Sequence, residues 1–169
     1  MRIRLLPGSE ERDAKLALQC TREILGDNTL CSLATVDRTS DSPYIWTAYY
    51  CFTDDLQLYV LTPPQTRHGQ QSAANAATAV AVYSSGQPWG TPKRGLQLLG
   101  TSALAKAGQT AKALTLYLRR YPALAHVARH PSELGKIDAR FYVITVNQVR
   151  LFDEPAFGNE VFVDLEVVR

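Results

Sequence analysis

The chain has 169 residues, enough for one domain with a sizeable core. Hydrophobic residues make up 46% and charged residues 20%, the balance of a globular chain rather than a disordered one. A formal net charge of +2, with no run of lysines and arginines, offers no argument for a nucleic-acid partner. Cys20, Cys31 and Cys51 lack C-x-x-C spacing and lie among apolar neighbours, so they read as buried thiols in a reducing, cytoplasmic setting. The opening M-R-I-R-L-L-P-G has no signal-peptide apolar run, and no stretch approaches the ~20 apolar residues of a membrane helix.

In chain order, Pro7-Gly8-Ser9 is a turn with Ser9 as a candidate N-cap, followed by Glu10, Glu11 and Asp13 where a first helical turn favours acids. Leu18, Thr21 and Leu25 share a stripe, and Gly26 suits a C′ position, so a helix is expected over about 10–25. From residue 29 the period changes to strands. These are 30–36, an aromatic strand 44–53, and a third over 56–62, joined by short polar turns as an antiparallel meander. A short helix over about 66–76 leads to strand 78–83. A Gly/Pro-rich loop, 84–95, and strand 96–105 follow. Leu114, Tyr117, Leu118 and Tyr121 give the next helix a core-facing stripe, interrupted by Pro122 and ended by Pro131 and Gly135. Strands over about 140–152 and 160–168 close the chain. The whole reads as one domain, mainly antiparallel β with helices (α+β). It is a barrel of six or seven strands over about 29–105 and 140–168, with a helical insertion over about 109–130.

The stretch from Leu56 to Gln71, L-Q-L-Y-V-L-T-P-P-Q-T-R-H-G-Q-Q, carries the first chemical signal. Leu56, Leu58, Val60 and Thr62 face one way, and Gln57, Tyr59 and Leu61 the other. Pro63-Pro64 must end the strand, since neither residue has an N–H for the ladder. Thr66 then stands where a helix starts, with Arg67 and His68 in its first turn. The macrodipole opposes cations there, and a bound phosphate would resolve the conflict; a solvated helix start with two incidental cations is the alternative.

The order S-L-A-T-V-D, aromatic strand, L-Y-V-L-T, T-R-H-x-x-Q-x-x-x-N, T-A-V-A-V and Q-L-L-G-T resembles the flavin-binding split barrel of the pyridoxamine 5′-phosphate oxidase superfamily. It is most similar to a small uncharacterised branch with the same T-R-H-x-Q and G-x-Q-x-x-G pieces. The resemblance covers about 28–105 well and 140–158 loosely. It implies a homodimer with two FMN sites at the subunit interface. It places phosphate binding on Thr66, Arg67 and His68 and flavin-ring contacts near Trp46, Thr47, Ala48, Leu61 and Thr62. Gln97 would face the cofactor, and Gln71 would assist from the short helix. Two departures stand out. Arg150-Leu151 lacks the upstream tryptophan of the C-terminal substrate-binding element and is followed by Phe152-Asp153. His68 stands where a lysine or arginine is usual, and is expected to grip phosphate best as imidazolium.

Trp46 and Trp89 can line a flat apolar slot, the first also reading as core and the second lying in the Gly/Pro-rich loop with Lys93 and Arg94, which could close over an anion. His126 and His130, four apart, would share a helical face, but no third metal ligand is near, so no metal is expected. Asp153 and Glu154 before Pro155 read as an acidic turn rather than an acid–base pair. No P-loop, Rossmann or G-x-S-x-G element occurs. The expectation is an FMN-dependent oxidoreductase acting on a small molecule, with no nucleic-acid or membrane partner and no side chain announcing itself as catalytic. Haem or a deazaflavin in the same fold, or a non-catalytic flavin-binding protein, are the alternatives.

Overall fold

The computed structural model describes residues 1–9 and 11–169. Among the described residues, eight strands and four helices follow the order β1 (Arg2–Leu5), α1 (Ala14–Asp27), β2 (Leu30–Val36), β3 (Pro43–Phe52), β4 (Gln57–Thr62), α2 (Arg67–Ala74), β5 (Ala77–Tyr83), β6 (Arg94–Leu104), α3 (Ala107–Arg120), β7 (Arg140–Asp153), α4 (Glu154–Phe157) and β8 (Phe162–Val168). Tight helical turns at Pro122–His126 and Pro131–Ile137 bridge α3 to β7. Neighbours in the sheet run β1-β8-β7-β4-β3-β2-β5-β6, and β6 also pairs β7. That last pairing closes six antiparallel strands into a barrel, with β8 and β1 continuing outward from β7. The expected split barrel is therefore present.

Closure depends on one glycine. The register of β6 on β7 shifts between Leu99 and Gly100. A Cβ at Gly100 would stand 2.1 Å from the Thr145 carbonyl oxygen, so only glycine lets the strands approach at this bulge. The split has an equally plain origin. β3 pairs β4 only at Tyr50–Phe52 against Leu58–Val60. Beyond that the ladder between them stops, and residues 43–49 of β3 remain paired only to β2.

Two cores result. Inside the barrel lie Leu33, Tyr50, Leu58, Val60, Val82, Leu98, Ile144 and others, capped by Ile24 and Leu25 of α1. On the outer face, α3 packs Ala113, Leu114 and Tyr117 over Cys51, Tyr59, Phe141 and Val143. β4 is thus buried on both faces, as its unbroken apolar run requires.

Several local expectations change. α1 starts at Ala14, because the Asp13 carboxylate caps it by accepting from Lys15 and Leu16 N–H. Ser9 is occupied elsewhere, accepting from the Asp164 N–H, and Glu10 lies outside the described residues. Gly26 falls inside α1 and Asn28 is the C-cap. β1, which was not expected, pairs β8 at the sheet's outer edge. No helix among the described residues is long and apolar enough to cross a membrane.

Candidate functional site

The split between β3 and β4 opens into a groove of about 780 Å³. Trp46, Thr47, Ala48, Leu61, Thr62 and His68 line one half. Tyr49, Tyr117, Arg120, Tyr121 and residues 122–124 line the other. Because the β3–β4 ladder stops at Tyr50, backbone groups of both strands face the groove rather than each other.

α2 is held in place by the Pro63-Pro64 turn. Thr66 N–H and Oγ1 both donate to the Pro63 carbonyl, and Thr66 Oγ1 accepts from Gly69 N–H. Gly69 is necessary: a Cβ there would meet the Pro64 carbonyl oxygen at 2.6 Å. Buried Gln71 accepts from Thr35 Oγ1 at 2.7 Å, tying α2 to β2. This fixed start directs His68 into the split. Its ring stacks on Trp46 with centroids 3.7 Å apart and planes 7° from parallel, and its Nε2 bonds Thr62 Oγ1 at 2.7 Å. Burial pushes the imidazole below its usual pKa. Burial thus works against the imidazolium that a phosphate grip would favour. Arg67 is exposed, its guanidinium 4.7 Å from the Tyr44 ring centroid, and among the described residues no carboxylate pairs with it. Trp46 Nε1 is buried with no acceptor within the described chain.

Of the residues singled out from sequence, Trp46, Thr47, Ala48, Leu61, Thr62 and His68 meet in the groove, with Thr66 and Arg67 beside it at the start of α2. Gln71 is on α2 with its side chain buried against β2. Gln97 and Trp89 are elsewhere. Gln97 is exposed on the outer barrel face, between Ala81 and Arg150, and Trp89 is fully exposed on the β5–β6 loop. Lys93 and Arg94 do not wait for an anion: Lys93 pairs Glu154, and Arg94 bonds buried Asp153 at 3.0 Å with Glu23 and Asp27 nearby. His126 and His130 do not share a helical face, because they sit on two separate turns, and no metal-binding cluster occurs among the described residues. Asp153 and Glu154 serve the β6–β7 junction, away from the groove.

Sequence reasoning missed Arg120 and gave Tyr117 and Tyr121 only a packing role. Arg120 Nη2 donates to the carbonyls of Leu25, Gly26 and Asn28, closing the end of α1 from α3. Tyr117 OH donates to Tyr49 O, and Tyr121 OH to Tyr50 O and Thr29 O. A basic residue in a helix's last turn signals only its own C-terminus; the second helix could not be read from spacing.

Residues 19–153 match the family model described as pyridoxamine 5′-phosphate oxidase. The chain belongs to the pyridoxamine 5′-phosphate oxidase family. A curated relative, UPF0306 protein YhbP of Salmonella paratyphi A, is 38% identical over 77 residues, covering 44% of this chain and 51% of that protein. The chain thus spans about half the length of that relative. A heme binding protein from Mycobacterium smegmatis superposes with TM-score 0.71 at 17% identity, covering 92% of this chain and 59% of that one. A FAD-binding protein from Mesorhizobium loti gives TM-score 0.60 at 18% identity over 99% and 100%. At such identities these likenesses speak for the family's fold alone.

Proposed function

We propose that this family member binds FMN in the β3–β4 split and acts as a flavin-dependent oxidoreductase on a small molecule. The observation that carries the reading is the joining of a flat, largely apolar slot to a helix start bearing an unpaired arginine. Trp46, Ala48 and Leu61 would flank the ring, and Thr62, Thr47 and the unpaired backbone edges of the split would meet its polar rim. Arg67 and the first N–H groups of α2 would take the phosphate. Bound there, the flavin supplies hydride or electron transfer; the chain supplies position, an apolar wall and polar contacts. His68 serves as a stacked, neutral support for Trp46 and as the partner of Thr62, rather than as a phosphate cation.

Haem is less well served. His68 is the histidine lining the groove, and its Nε2, which would have to hold the iron, is already bonded to Thr62 Oγ1. A deazaflavin would use the same slot, and the titration below separates it from FMN.

A second copy fits the outer face of β3-β2-β5-β6. Ile45, Ala34, Ala79 and Leu99 stand opposite one another in a cross-strand row. Ile45 is 69% and Leu99 50% exposed, more than a solvated sheet face requires. Gln97, turned from its own groove, would then meet a cofactor only across such a dimer. Sedimentation at micromolar concentration should show twice the chain mass; a monomer that still binds FMN sinks the shared-site arrangement.

The test of the cofactor is a pair of titrations. Arg67→Ala should weaken FMN by ~1.5–3 kcal/mol, the scale of a lost charge-assisted hydrogen bond, or roughly ten- to over a hundredfold in affinity. Riboflavin, without the phosphate, should be affected far less. Equal weakening of both ligands removes the phosphate site, and a purified protein that takes up haem or deazaflavin in preference to FMN removes the FMN reading.

A further inference from the structure

The groove is longer than the flavin-facing half, and its second half has a chemistry of its own. Tyr49, Tyr117 and Tyr121 wall it, with Pro122, Ala123 and Leu124 on the turn after α3. Aromatic rings cluster there: Tyr121 lies 5.4 Å from Tyr49 and 5.2 Å from Tyr117 between centroids. The hydroxyls of Tyr117 and Tyr121 are already committed to backbone carbonyls, so these residues present ring surface rather than donors. Among the described residues, no aspartate, glutamate or lysine lines the groove. Its one arginine, Arg120, turns Nη2 to the carbonyls ending α1, where the partial negative charge of the helix C-terminus offsets it. His68, at the far end, has its protonated form disfavoured by burial.

We infer that this second half binds a flat, uncharged aromatic molecule, which would lie beside the cofactor as the small-molecule partner of the proposed reaction. The inference rests on the flavin reading for that role, though not for the binding itself. A charged ligand would surrender its hydration to a surface made mostly of rings and aliphatic carbon, without a carboxylate and with its guanidinium already drawn to the α1 carbonyls, a cost that stacking on tyrosines offsets only in part. A phosphorylated substrate is less well served for the same reason: the guanidinium of Arg120 is anchored on the end of α1, and Arg67 lies at the other end.

Three ligands of one shape test this: naphthol, the naphthalenesulfonate anion and the naphthylmethylammonium cation, measured by equilibrium dialysis against the full chain. Naphthol should bind at least about tenfold more tightly than either ion. Ala123 is exposed on its turn, so enlarging it should spare the fold. Ala123→Trp should occlude the half-groove and lower naphthol affinity by about tenfold or more, and Ala123→Glu should shift preference toward the cation. Charged ligands binding as well as naphthol, or naphthol binding indifferent to both substitutions, overturns the inference. An FMN titration of the unmodified chain separates the two readings. Selective naphthol binding by a protein that ignores FMN retires the flavin role and keeps this site; FMN binding without discrimination among the naphthalenes does the reverse.

Discussion

Replacing Arg120 with alanine tests how the groove's outer wall is fastened. The guanidinium of this α3 residue reaches Leu25 O at 3.0 Å and Gly26 O at 3.2 Å, bonds Asn28 O, and lies 5.0 Å from the Tyr50 ring centroid. A hydrogen bond from a charged donor contributes ~1.5–3 kcal/mol, and a cation at a helix C-terminus a further ~0.3–1 kcal/mol. The full sum is not expected. One Nη2 serves all three carbonyls, Leu25 O keeps the Tyr50 hydroxyl at 2.8 Å, and the exposed Gly26 O can turn to water. Arg120→Ala should therefore cost about 2–3 kcal/mol, lowering Tm by ~4–12 °C for a chain of this size. Urea unfolding followed by far-UV circular dichroism measures it, with the midpoint moving and the slope constant. Arg120→Lys, with charge but no fork, should recover roughly half. A loss below about 0.5 kcal/mol for the alanine variant, the level of an ordinary surface substitution, refutes the clasp between α3 and α1.

Burial holds the folded His68 pKa below its unfolded value near 6.5, so its contribution to stability is complete above that pH and is lost as pH falls towards the folded value. Unfolding midpoints measured downward from neutral pH should decline, and His68→Gln should flatten the part of the slope due to this residue; an unchanged slope would show the ring to be solvated. Gly100→Ala should cost about 3 kcal/mol, the upper end for overpacking, because its Cβ would collide with the Thr145 carbonyl; near-parental stability would falsify the tight bulge. Burial pushes the Cys31 and Cys51 thiols up to about 12, so a thiol reagent at about pH 8 should label them only at the rate of unfolding, and rapid labelling of the native protein contradicts their burial.

Most of the barrel was legible because its cause is local. Alternating runs, polar turns and the Pro63-Pro64 stop act over a few residues. The edge strand β1 was not legible, since Arg2–Leu5 is short and partly charged and is a strand only because β8 lies beside it. Nor was the start of α1: Ser9 and Asp13 are both competent caps, and the choice is made by Asp164, remote in sequence, which takes the serine. The groove's inner half was readable from motif order. The state of His68 was not, because its burial comes from packing against Trp46 of β3, more than twenty residues away in sequence. Strand alternation alone could not tell which side of the barrel Gln97 would face.

The pairing of residues 2–5 with residues 165–168 governs the order in which this sheet can be assembled. During synthesis β2 to β5 can pair as they emerge, whereas barrel closure waits for β7, and β1 has no neighbour in the sheet until β8 is made. Until β8 is made, β1 is an unpaired ribbon, carrying Arg2 and Arg4 on alternate positions. Those charges suit the interval, since a charged, short edge is a poor template for strands of other chains. Completion by such distant segments also favours slow final closure relative to the early meander.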